Sequence, residues 1–140
     1  MTARTETAAL QSALAAEHAA VYGYGVVGAM LAGMGQAAVA RADWLAHQGA
    51  RDSLEAMLTK LGATPVAASP AYTLPFAVTG AKSAERLAAA IEDGVTRAYL
   101  GLVAVSDPAL RSFGARAMQT SASRAAAWSG TTIAFPGMPG

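Results

Sequence analysis

Four stretches of this chain space their apolar residues alternately three and four apart. Only an α-helix gathers that spacing onto one face. The first stripe, Leu10, Leu14, Glu17, Val21, Tyr24, Gly28 and Leu31, predicts a helix over about 6–32. The second, Ala40, Trp44, His47, Arg51, Leu54, Leu58 and Leu61, predicts one over about 36–61. The third, Leu87, Ile91, Val95, Ala98, Leu102 and Val105, with Glu92 on its edge, predicts 83–105. Leu110, Phe113, Ala117, Thr120, Arg124 and Trp128 mark a fourth over about 108–128. Ala, more than a quarter of the residues, favours the helix and lets helices approach closely.

The connections limit how four helices can be arranged. Gly33-Met34-Gly35 is a tight turn, and Gly62 with Pro65 stops the second helix. Residues 62–82 carry three prolines and no helical period, a crossover long enough to run the length of a helix. Ser83 is the expected N-cap of the third helix; Asp107, followed by Pro108, is that of the fourth. A tail at 129–140 is irregular. Short turn, long crossover, short turn is the connectivity of a ferritin-like four-helix bundle, so the chain is expected to be all-α and a single domain over 1–140.

Ten basic and nine acidic residues leave a net charge of +1 with no basic cluster, which argues against a nucleic-acid surface. The lack of Cys excludes disulfides, thiol chemistry and thiolate metal sites. Val21 to Ala40 holds no charge, but repeated glycines and Gln36 interrupt it, so a buried helix is expected rather than a membrane span. The N-terminus lacks the apolar core of a secretory signal, and a cytoplasmic protein is expected. The Ala- and Gly-rich composition and apolar tail suggest a homodimer.

Ionisable groups on the apolar stripes are costly unless they bind a metal, pair with opposite charge or reach water. A dinuclear site in this kind of bundle takes one Glu from each of two helices and Glu-x-x-His from each of the other two. Glu17 and Glu92 could supply the first kind of ligand. The second helix, however, has His47 without the preceding Glu, and 108–128 contains no Asp, Glu or His. No intact di-iron centre is expected. Folding the chain back at Met34 sets Glu17 opposite Arg51 and Tyr24 opposite Trp44; folding back at Asp107 brings Arg124 within a turn of Glu92. Glu17, His47, Arg51, Glu92 and Arg124 are therefore expected to form a buried ion and hydrogen-bond network, with no cofactor. The alternative is iron or manganese held mononuclearly by Glu17, His47 and Glu92. His18, about 100° around the helix from Glu17, is expected to face solvent or another subunit. Asp52, Glu55, Asp93 and Arg97 read as solvated positions, with Arg51/Glu55 and Asp93/Arg97 at helical i,i+4 spacing.

No phosphate loop, nucleophile motif or His-Glu-x-x-His is present. Three readings of function stay open: a binding or scaffold module, a metal-handling protein or enzyme, and a small-ligand protein with a pocket under the crossover near Tyr72, Phe76 and the tail.

The segments LQSALAAEHAAVYGYGVVGA, HQGARDSLEAML, AYTLPFAV and AAIEDGVTRAYL, with Trp128 and the closing FPG, resemble the small ferritin-like domain of unknown function found in actinobacterial proteins. The resemblance covers nearly the whole chain. It implies a four-helix ferritin-like bundle without assigned activity, and it brings no catalytic residues with it. One departure is Gln48, where members usually carry Arg after the second-helix His.

Overall fold

The computed structural model describes residues 3–132 and 135–138. These form α1 (Ala3–Met30), α2 (Ala37–Lys60), α3 (Ala81–Ala98), the single turn α4 (Leu100–Val103) and α5 (Pro108–Ser129), with no strand among the described residues. Of the tail expected to be irregular, residues 133, 134, 139 and 140 lie outside the described set.

Each helix boundary has a local cause. Gly33 turns the chain between α1 and α2 at φ +78°. Gly62 does so after α2 at φ +77°, and the Ala63 amide bonds back to the Leu58 carbonyl at 3.0 Å. Asp107 caps α5, its carboxylate accepting from the amides of Ala109 and Leu110 at 2.8 and 3.0 Å. Ser83 does not cap α3 from outside. Gly80 occupies that position in extended conformation, and Ser83, already inside the helix, reaches back to accept from the Thr79 and Gly80 amides. The third helix is also not continuous to 105. The helix breaks at Tyr99, and i,i+3 bonds flank the single turn α4, with the Leu102 amide on the Tyr99 carbonyl at 3.0 Å and the Val105 amide on that of Leu102 at 3.4 Å. Gly101, a weak helix former, lies within this stretch.

α1 is the central helix, packed on both α2 and α3, while α5 packs on α3 and α4. Leu10, Leu14, Leu54, Leu58 and Leu102 build one apolar cluster; Tyr24, Val27, Leu31, Leu87 and Trp128 build another. Between them lies a polar layer at Glu17, His47 and Glu92, all buried. α2 and α5 have little direct contact, and an open cleft separates them.

α5 is rotated by about one residue from its expected stripe, whereas α2 keeps Ala40, His47, Leu54 and Leu58 on the buried face and departs at Asp43 and Trp44. On α2, Asp43 is buried with Ala40, His47, Leu54 and Leu58, whereas Trp44 and Arg51 are half-buried and Leu61 is exposed. On α5 the buried positions are Gly114, Ser121, Ala125 and Trp128, and Thr120 is exposed. Neighbouring positions differ by about 100°, so two adjacent stripes satisfy the same spacing in a helix built mostly of Ala and Ser. Close packing chooses between them: a Cβ on Gly114 would lie 2.7 Å from the Leu102 Cβ.

The stretch at 61–80 is tied to α1. Gln11 donates from its amide nitrogen to the Thr64 carbonyl at 2.7 Å and accepts from the Val66 amide at 2.8 Å. His18 donates from Nε2 to the Val66 carbonyl at 2.8 Å. His18 is therefore buried under the crossover and does not face solvent; the expectation for it is corrected, because a carbonyl from a distant segment satisfies the ring. Farther along, Leu74, Phe76 and Val78 pack on the second cluster.

Candidate functional site

His47 stands at the centre of the polar layer. Its Nδ1 lies 2.6 Å from Glu17 Oε2 and its Nε2 lies 2.7 Å from Glu92 Oε1. Ionised carboxylates only accept, so the imidazolium, which donates from both nitrogens, satisfies this geometry in full. Burial alone pulls the pKa of His47 down, but hydrogen bonds to Glu17 and Glu92 and the charges of both outweigh it, and the ring is pushed up to about 9.

Two tyrosines complete the inner layer. Tyr99 donates its hydroxyl to Glu17 Oε1 at 2.9 Å, and Tyr24 donates to Glu92 Oε1 at 2.7 Å. Both phenols are held well above the ordinary tyrosine range, first by burial and then by the carboxylate each one faces. The Tyr24 ring also stacks on the imidazole, centroids 5.3 Å apart. Beyond Tyr24 the chain of contacts reaches Asp43, whose Oδ2 accepts from the Trp128 indole at 2.9 Å and whose Oδ1 lies 3.4 Å from Arg124 Nε. Side chains from α1, α2, α3 and α5 are thus joined in one network. Its carboxylates, Glu17, Glu92 and Asp43, outnumber its cations, His47 and Arg124, by one. Glu92 Oε2 is buried without a hydrogen-bond partner among the described residues.

Glu17, His47 and Glu92 are in direct contact. Arg124 reaches the network through Asp43, not Glu92. Arg51 is outside it: its guanidinium pairs with Asp52 at 2.9 Å and approaches Glu55 at 3.9 Å. The placement of Arg51 opposite Glu17 is corrected, because the actual register sets His47 there and turns Arg51 towards its own helix neighbours. Asp43, Tyr24, Tyr99 and Trp128 belong to the network although sequence reasoning left them out of it. Asp43 precedes His47 by four residues and Tyr99 follows Glu92 by seven, spacings that share a helix face. A buried Tyr or Trp also needs a partner for its polar tip.

As arranged, these donors do not fit a dinuclear metal. A first-row cation between an imidazole nitrogen and a carboxylate oxygen holds them roughly 3 Å or more apart, whereas both nitrogens of His47 are at hydrogen-bond distance from carboxylates. α5 contributes no Asp, Glu or His. No group of three or more His, Asp or Glu among the described residues is set to hold a metal ion.

The network forms the floor of the α2–α5 cleft. One recess, about 350 Å³, has Glu17, His47 and Tyr99 at its base and Ala46, Ala50 and Ala117 on its walls. A second, about 610 Å³, opens beside Asp43 and Trp128 and shares Thr120 and Arg124 with the first. A smaller apolar recess of about 220 Å³ lies under the crossover by Tyr72 and Leu74; Phe76 instead packs beneath the Arg86 guanidinium.

No helix among the described residues is long and apolar enough to cross a membrane. No curated protein matches the chain. The fold is similar to the crystal structure of a conserved hypothetical protein from Mycobacterium tuberculosis, with a TM-score of 0.87 and 33% identity over 92% of this chain and 98% of that one. The model of a family described as "Domain of unknown function (DUF4439)" matches residues 9–140, and with that match the chain belongs to this family.

Proposed function

We propose that this protein is a ferritin-like binding module without a metal centre, and that the α2–α5 cleft is where it takes a small molecule. The observation that carries the reading is His47 held between Glu17 and Glu92 with both ring nitrogens occupied. That arrangement spends the donors a metal would need on hydrogen bonds inside the protein. Through Asp43 and its contacts to Trp128 and Arg124, the wider network also ties α2 to α5 across the open cleft.

The cleft is favoured over the recess under the crossover because polar and aromatic groups converge on it, as they do in small-molecule sites. Cytoplasmic location and homodimerisation belong to the same proposal; size-exclusion chromatography reads the second. Metal analysis and native mass spectrometry of the natively purified protein test the central claim. Iron and manganese are expected well below stoichiometric, with a small molecule released from the wild type and missing from a cleft-filling Ala117→Phe variant. Stoichiometric iron or manganese that disappears in His47→Ala would overturn the reading.

A further inference from the structure

The cleft presents donors on one side and occupied acceptors below. On α5, Arg116 is exposed and has no ion-pair or hydrogen-bond partner among the described residues. Arg124, two turns along the same face, is held to Asp43 by Nε alone, which leaves the outer nitrogens of its guanidinium uncommitted among the described residues. Thr120 lies between them. Ser121 is only 3% exposed, lines the same recess, and makes no hydrogen bond to the described residues. Unlike Glu92 Oε2, this hydroxyl is not among the fully buried unpartnered atoms, so it is accessible to donate to a ligand.

The acceptors nearby do not compete for a ligand. Both oxygens of Glu17 take hydrogen bonds from His47 and Tyr99, and both oxygens of Asp43 are engaged by Trp128 and Arg124. α5 carries three arginines and no acidic residue, so the wall that faces the cleft has one sign of charge. The apolar part of the recess lining is Ala46 and Ala50 on α2 with Phe113 and Ala117 on α5.

We infer that the cleft binds a small organic oxyanion, a carboxylate or phosphate head on a compact apolar body, with the head between Arg116, Arg124 and Ser121 and the body against Ala46 and Ala50. The inference rests on the cleft being the ligand site. Guanidinium nitrogens pair with two oxygens of such a head, and the hydroxyl supplies a further donor. Arg116 is exposed and bonded to nothing else among the described residues, so removing it leaves the fold undisturbed.

Benzoate, phenyl phosphate and benzyl alcohol share a ring and differ in the head, which makes them suitable probes of the full-length protein by amide chemical shifts. At least one anion is expected to shift Ala46, Ala50 and Ser121 and to bind at least about tenfold more tightly than benzyl alcohol. Tighter benzoate identifies the head as a carboxylate; tighter phenyl phosphate identifies a phosphate. Arg116→Ala is expected to weaken the anion about tenfold and leave benzyl alcohol unchanged, and Ser121→Ala to weaken the anion with unaltered melting. Benzyl alcohol binding in the cleft as tightly as both anions overturns the oxyanion inference and leaves the cleft as the ligand site. Shifts with no probe, or shifts outside the cleft, overturn both.

Discussion

At the scale of single residues, His47 carries the largest electrostatic responsibility in the molecule. Removing it in His47→Ala leaves Glu17 and Glu92 buried and unpaired, and the loss of stability in urea unfolding is expected to be about 3–5 kcal/mol. Arg51→Ala, which breaks only exposed contacts to Asp52 and Glu55, is expected to cost under about 1 kcal/mol. That contrast separates the observed network from one routed through Arg51. pH dependence follows from the same side chain. A folded-state pKa of about 9, above the ordinary 6.5, means that the proton on His47 stabilises the fold fully below about pH 6.5 and that this contribution is lost as the pH rises through about 9. Urea midpoints should fall across that window in the wild type and stay flat across it in His47→Gln. Glu17 and His47 stand out as polar residues on apolar stripes. Asp43 does not, because Trp44 beside it is the more obvious core residue, and adjacent stripes cannot be told apart by spacing alone.

At the scale of elements, helix ends follow local chemistry, and helix faces follow packing. Gly114 illustrates the second. A methyl group there would meet Leu102 at 2.7 Å from backbone-anchored atoms on both sides, so Gly114→Ala is expected to destabilise by about 1–3 kcal/mol even though Ala is the better helix former. Thermal unfolding of the variant reads it. The long connection is likewise an element with defined attachments. Its first residues hang on Gln11 and His18, and His18→Ala should raise amide exchange at Val66, whose own bond to Gln11 then stands alone, while exchange in the core of α3 stays slow. The sequence shows that a crossover must exist, from its prolines and missing period. Which α1 side chains anchor it is invisible there, since the partners are some fifty positions apart.

At the scale of the whole molecule, the four long helices enclose an apolar core that a charged layer crosses in the middle. The layer is internal to the protein, so thermal melts with and without a chelator should coincide; a midpoint lowered by the chelator would mean that a metal contributes to folding. The unequal packing of the helices, with α5 on α3 and α4 but hardly on α2, is what leaves the cleft. By itself the sequence determined the helical class, the order of short and long connections and the presence of ionisable residues on buried stripes, because those depend on period, turn chemistry and composition. Only the tertiary structure decided that His47 and not Arg51 meets Glu17, that Asp43 and not Glu92 meets Arg124, and that His18 is buried. Sliding a helix by one turn, or rotating it by one residue, changes its partners across the bundle while leaving its own periodicity intact.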